Sequence, residues 1–170
     1  MVKEKSFYTV RGYEILGKRK EVLSHSMEDY LEMVYRTSLE GEDIRINTLA
    51  ESLNVQAPSA TKMVQKLGKL GLLHYEKYGS IQLTPKGKKI GKFLLKRHKI
   101  IEEFINVIGV EEEKLVNVEL IEHNVTRGAL KKIEILNHFF QSHPEVYEKF
   151  KQYRISYQKE GGETKDLEDL

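Results

Sequence analysis

Six side chains, in three separate stretches of this chain, have types and spacings suited to holding a divalent cation. Asp29 and Glu32 stand at i and i+3, which puts both carboxylates on one face of a helix. Glu119, Glu122 and His123 stand at i, i+3 and i+4, again one face. His98 lies near the end of a long helical stretch. Hard oxygens with some imidazole nitrogen suit manganese, ferrous iron or zinc, and the chain has no cysteine to supply soft sulfur. The same spacings also describe a capping residue at Asp29, an ordinary histidine at His98 and a solvated ExxEH face, so spacing alone leaves the metal site open.

A second group of residues suits contact with a polyanion. Between Lys62 and Lys99 the chain carries eleven lysines and arginines opposed by Glu76 alone. Between Glu102 and Glu122 the balance reverses, with seven glutamates against Lys114. A basic block followed by an acidic one points to an anionic partner for the first and a cation for the second, or to two solvated faces. Within PSATKMVQKLGKL, the residues Ala60, Met63, Val64, Leu67 and Leu70 form one apolar face. Gln56, Ser59, Thr61, Lys62 and Gln65 lie at the polar side and N-terminal end, where a groove-bound helix reads base edges. Lys66 and Lys69, with Lys77 and Tyr78 beyond them, fit phosphate contacts. A protein-binding winged helix would show a similar surface, but with less reason for the basic bias.

The elements that must position these groups follow from periodicity. Ser26 is a candidate cap, with Asp29 at capping-box spacing, for a helix from Met27 to about Leu39. Ile44 to Ile46 could pair briefly as a strand. Asn47 is a candidate cap for a short helix, Thr48 to Leu53. A second helix runs from Ala57-Pro58 to about Leu70, giving a helix-turn-helix. Residues 72–83 then read as strand, turn at Gly79 and strand, the pattern of a wing. Thr84-Pro85 opens a long helix to about Ile108, ended by Gly109. Further helices are expected over Glu111–Val125, Arg127–Gln141 and Pro144 to about Gln158. The fold class is therefore mainly α, an N-terminal winged helix-turn-helix followed by an all-helical C-terminal domain. The expected division is an N-terminal extension (1–25), a DNA-binding domain (26–85), a helical metal-binding and dimerisation domain (86–160) and a flexible tail (161–170).

Composition excludes several classes. The chain has 170 residues, 32% charged and 39% hydrophobic, with a net charge of +2, which suits a soluble globular protein. No apolar run approaches the roughly 20 residues of a membrane span, and the N-terminus lacks a signal-peptide core. A cytoplasmic location without membrane association is expected. Dinuclear bundle enzymes place a glutamate three residues before the ligand histidine. Here those positions are Leu95 and Leu120, and no separate acid–base or nucleophile constellation stands out, so an enzyme is not expected.

Together, SMEDYLEMVY, APSATKMVQKL, YEKYGSIQLTPKGKKIGK, the Arg97-His98 pair, IIEEFINVIGVEEEK and IEH at 121–123 resemble the MntR-type manganese-responsive regulators of the diphtheria-toxin-repressor (DtxR) family. The resemblance covers roughly Ser26 to Phe140. It implies that Asp29, Glu32, His98, Glu119, Glu122 and His123 hold a binuclear Mn2+ centre, with bridging carboxylates and the Glu119 carbonyl as a further ligand. Fe2+, Zn2+, Co2+ or Cd2+ can also bind such a set. Iron-responsive relatives carry sulfur at the positions of Asp29 and Glu122, so oxygen at both resembles the manganese branch. The implied protein is a homodimer that binds a double-stranded DNA operator when loaded with metal, represses manganese-uptake genes and takes no small-molecule substrate. Its expected switch is the relief of repulsion among converging carboxylates. An iron-responsive repressor of the same family and a metal-independent winged-helix regulator are the alternatives. The chain is too short after residue 140 for the SH3-like domain of longer relatives.

Overall fold

Seven helices and a two-stranded hairpin account for the described residues of this computed structural model, 23–41, 44–76 and 79–159. Helix α1 (His25–Leu39) buries Tyr30, Leu31 and Val34 at helical spacing. Its cap is Ser24, whose side chain accepts from the Met27 N–H, not Ser26. Starting the helix there takes Asp29 out of the capping turn, so its carboxylate is free to face another helix. Of the extension expected over 1–25, Leu23, Ser24 and His25 thus belong to α1 and its entry, with Leu23 packed on the core. The rest of that extension, and the tail expected from 161, lie outside the described residues.

Helix α2 (Ile46–Ser52) begins after Arg45, with no side-chain cap, so Asn47 is not its cap. The buried Ile44 accounts for this: its carbonyl accepts from the Ile81 N–H at 2.7 Å, which holds the chain extended until the helix starts. That bond takes the place of the short strand expected at Ile44–Ile46. Helix α3 (Ala57–Lys69) carries Pro58 in its first turn, where the missing N–H is not needed. Strands β1 (Leu73–Tyr75) and β2 (Ile81–Leu83) pair antiparallel, with Leu73 opposite Leu83 and Tyr75 opposite Ile81. Lys77 and Tyr78, at the expected wing tip, lie outside the described residues.

Thr84 ties this unit to the next. Its hydroxyl donates to the Gly71 carbonyl at 2.8 Å and accepts from the Gly87 N–H, capping α4 (Pro85–Ile108). At 24 residues, α4 is about 36 Å long. Gly109, at φ 76°, closes it in the left-handed conformation that glycine adopts without strain. Two hydrophobic clusters lie along this helix. One joins Leu94 to Leu31, Val34, Val64 and Leu67; the other joins Ile101 and Ile105 to Val118 and Leu130. The boundary between the cores falls at residues 97 and 98.

The remaining helices are α5 (Lys114–Glu122), α6 (Arg127–Ser142) and α7 (Pro144–Lys159). Helix α5 is shorter than the expected Glu111–Val125. Glu113 takes a left-handed conformation at its start, and at its end Thr126 already caps α6 by accepting from the Ala129 N–H. His123 occupies the C-cap in right-handed geometry, so it keeps its helical offset from Glu119. Among the described residues no helix is long and apolar enough to cross a membrane.

Candidate metal centre

All six of the carboxylates and imidazoles singled out above converge where α1 and α5 meet the middle of α4. They form two triads. Asp29, Glu119 and His123 make one, and Glu32, His98 and Glu122 the other; within each, one candidate ligand atom per residue lies within 4.8 Å of the others. The close approach of α1 to α4 makes this possible. Gly91 sits under Tyr35, and a Cβ there would lie 2.5 Å from the Tyr35 Cβ. The second triad is buried, with Glu122 only 2% exposed, while Glu119 opens the first to solvent.

The two triads share their glutamates. Glu122 sets Oε2 3.0 Å from His98 Nδ1 and Oε1 3.7 Å from His123 Nε2. Glu119 places Oε1 3.9 Å from His98 Nδ1 and Oε2 3.6 Å from His123 Nε2. Asp29 Oδ1 is 2.9 Å from His123 Nε2, and Glu32 Oε1 is 4.0 Å from His98 Nδ1. Thus the two glutamates of α5 each present one oxygen to each imidazole.

Electrostatics follow from this crowding. Burial pushes the Asp29 carboxyl up, against the opposing pull of His123, and Glu122 adds to the rise. Burial also raises Glu119, with Glu122 and Asp29 adding repulsion. The hydrogen bond to Glu122 raises His98 despite burial. Burial pushes Glu122 up, but the His98 hydrogen bond and the Arg97 charge outweigh it and hold the carboxyl low. A cluster of carboxylates raised by burial and mutual repulsion gains from any added positive charge.

Three further charged residues belong to the site, and spacing did not reveal their role. Arg36 donates to Glu32 Oε1 at 2.7 Å, an i,i+4 pair legible in the sequence as EMVYR. Arg97, buried beside His98, donates to Glu28 at 2.9 Å and approaches Glu122 at 3.5 Å. Glu28 Oε2 is 2.9 Å from His123 Nδ1. The carboxylates therefore do not face one another unscreened, as the simple repulsion picture expected: two guanidinium groups are interleaved with them. The donor set fits hard divalent cations, with oxygen predominating and no sulfur present.

The residues expected to face nucleic acid lie apart from this cluster. On α3, Ala60, Val64 and Leu67 are buried, whereas Gln56 and Ser59, Lys62 and Gln65, and Lys66 and Lys69 are exposed. Thr61 is half-buried, and its hydroxyl donates to the Ala57 carbonyl, which leaves it as an acceptor only. A groove between the start of α3 and the hairpin is lined by Asn47, Pro58, Thr61 and Tyr75.

Comparison with known proteins places both halves. Residues 22–81 match the family described as iron dependent repressor, N-terminal DNA binding domain, and residues 84–151 match its metal binding and dimerisation domain. The HTH-type transcriptional regulator MntR of Lysinibacillus sphaericus is 43% identical over 125 residues, covering 73% of this chain and 90% of the relative. The protein of that name from Bacillus subtilis is 48% identical over 117 residues, covering 68% of this chain and 82% of its own length. Among solved structures, the manganese regulator SloR superposes with a TM-score of 0.60 at 30% identity over 66% of this chain. ScaR with bound Zn2+ does so at 0.53 and 29% identity over 65%. The match spans about half of those two longer chains, 54% and 52%.

Proposed function

Because this chain belongs to the iron-dependent-repressor family, we propose that it is a manganese-dependent, DNA-binding transcriptional regulator that represses manganese-uptake genes. The observation that carries this reading is the pair of sulfur-free triads joined across α1, α4 and α5, directly behind a winged helix. We take residues up to about 85 as the DNA-binding domain and the helices beyond as the metal-binding and dimerisation domain. The role is regulatory rather than catalytic and needs no small-molecule substrate.

Asp29, Glu32, His98, Glu119, Glu122 and His123 would hold a binuclear centre. When bound, divalent ions supply the positive charge that lets five clustered carboxylates, Glu28 included, stay ionised together. The chain's own groups do the coupling. Asp29 and Glu32 ride on the DNA-binding half, Glu119, Glu122 and His123 on the helical half, and His98 on the helix common to both. Ordering them together fixes α1, and with it α3, relative to the second half. In a dimer this sets the spacing of two recognition helices, which fits successive major grooves at roughly 34–36 Å. Leu115 and Leu120 on α5 and Ile135 on α6, each more than 60% exposed, supply an apolar face for the second copy. A shift from 1:99 to 99:1 in the DNA-competent form requires about 5.5 kcal/mol of differential metal affinity.

Affinity alone does not select manganese, because zinc binds nitrogen and oxygen ligands more tightly. The preference rests on the oxygen-rich bridged pair. A DNA-binding assay on the gene's own upstream region, with Mn2+, Fe2+ and Zn2+ in turn, tests the reading. Manganese is expected to tighten binding most. Equal response to saturating zinc would remove the selectivity argument, a stronger response to iron would favour an iron-responsive repressor, and indifference to all three would favour a metal-independent regulator.

A further inference from the structure

We propose that Glu28, held by Arg97, fixes the proton of the His123 ring on Nδ1 and so reserves Nε2 for a metal ion in the Asp29–Glu119–His123 triad. The proposal rests on the reading of that triad as half of a metal centre, and it assigns roles to Glu28 and Arg97, which lie outside the six ligand positions.

His123 lies between two carboxylates that compete for its proton. Glu28 Oε2 is 2.9 Å from Nδ1, and Asp29 Oδ1 is 2.9 Å from Nε2. A neutral ring carries one N–H and can satisfy one of them. If the proton sits on Nε2, the nitrogen facing Asp29, Glu119 and Glu122 has no lone pair to offer. If it sits on Nδ1, Nε2 is free, and Glu28 acts as the outer carboxylate that commonly orients a metal-bound histidine.

Arg97 decides which carboxylate holds its place. Its guanidinium donates to Glu28 at 2.9 Å and is itself buried, with 8% of the side chain exposed. It also lies 3.2 Å from His123 Nδ1. A donor so close to Nδ1 and a carboxylate at 2.9 Å from the same atom make opposite demands. Glu28 resolves them by accepting from both Arg97 and the Nδ1–H. The His25 ring stacks on His123 at 4.6 Å and 12°, which restricts the ring from turning over. Glu28 comes from α1, Arg97 from α4 and His123 from the end of α5. These three residues therefore connect the same three helices as the triads do.

The test uses the full chain, 15N-labelled at histidine, and long-range 1H–15N spectra of the metal-free protein at a pH where the His123 ring is neutral. His123→Gln identifies the resonance. Wild type is expected to show the Nδ1–H tautomer. Glu28→Ala is expected to move the proton to Nε2, where Asp29 accepts it, and to weaken Mn2+ binding in calorimetry by about 10–100-fold. Glu28→Gln, whose amide oxygen still accepts, is expected to restore the Nδ1–H tautomer. A purely structural Glu28 would change the melting temperature without moving the proton. An Nε2–H tautomer in wild type overturns the proposal without recourse to any variant, as does Glu28→Ala with wild-type tautomer and Mn2+ affinity. If wild type binds no manganese, the reading of the centre fails, while the metal-free spectra still decide what Glu28 does to the ring.

Discussion

Glu122→Gln is the most informative single change, because one residue faces both triads. Its two oxygens point to His98 and His123, and its neighbours include Arg97. Glutamine keeps the volume and one acceptor but removes the charge from a position only 2% exposed. Without metal, the loss of a charge-assisted hydrogen bond costs about 1–3 kcal/mol. Each variant is therefore compared with its own metal-free baseline. For wild type, manganese at 100 times the dissociation constant contributes about 2.7 kcal/mol per ion. For a chain of this size, that raises the melting temperature by roughly 5–11 °C per ion, at about 2–4 °C per kcal/mol. A 100-fold loss of affinity reduces the contribution to about 0.4 kcal/mol, a rise of only ~1–2 °C. The assay is circular-dichroism melting with and without Mn2+, using Glu134→Gln as control, since Glu134 pairs with Lys96 away from the triads. The expected result is a lost manganese response in Glu122→Gln and an intact one in the control. A wild-type manganese shift in Glu122→Gln would refute the assignment of both triads.

Three further outcomes follow from the same geometry. Manganese affinity is expected to rise with pH: the Glu122 hydrogen bond holds His98 above its ordinary value of 6.5, so the ring keeps its proton past that pH and must lose it to bind. Calorimetry from pH 5.5 to 8.5 checks this, and a flat profile would contradict it. Lys62→Ala and Lys66→Ala, exposed on α3, are each expected to weaken operator binding and to lower the salt slope by about 0.9 where a phosphate contact is lost, with calorimetric manganese affinity unchanged. Gly91→Ala forces a methyl against Tyr35. It is expected to destabilise the fold by about 1–3 kcal/mol and, by displacing α1 from α4, to weaken manganese binding as well; melting and titration of the one variant read both effects.

How far the sequence led depended on whether a feature is local. The apolar face of α3, Pro58 in its first turn, the hairpin after Gly71 and the Thr84-Pro85 and Gly109 ends of α4 are determined within a few residues, and each was legible. So was the shared face of Glu119, Glu122 and His123, which helical offset dictates. Helix starts were less so. Ser24 and Ser26 are equally good caps locally, and α2 starts where it does because Ile81, 37 positions after Ile44 in the chain, binds the Ile44 carbonyl.

The six chemistry-bearing residues could be named from type and spacing, but spacing within one helix says nothing about what another helix brings to it. Their convergence was decided by the packing of α1 and α5 on α4, through contacts such as Gly91 under Tyr35. Tertiary structure also decided the roles of Glu28 and Arg97. In the sequence they are an acid and a base 69 positions apart. Only the fold buries Arg97, half-buries Glu28 and sets both against the same histidine, and an ion pair has a direction and a strength only once that has happened.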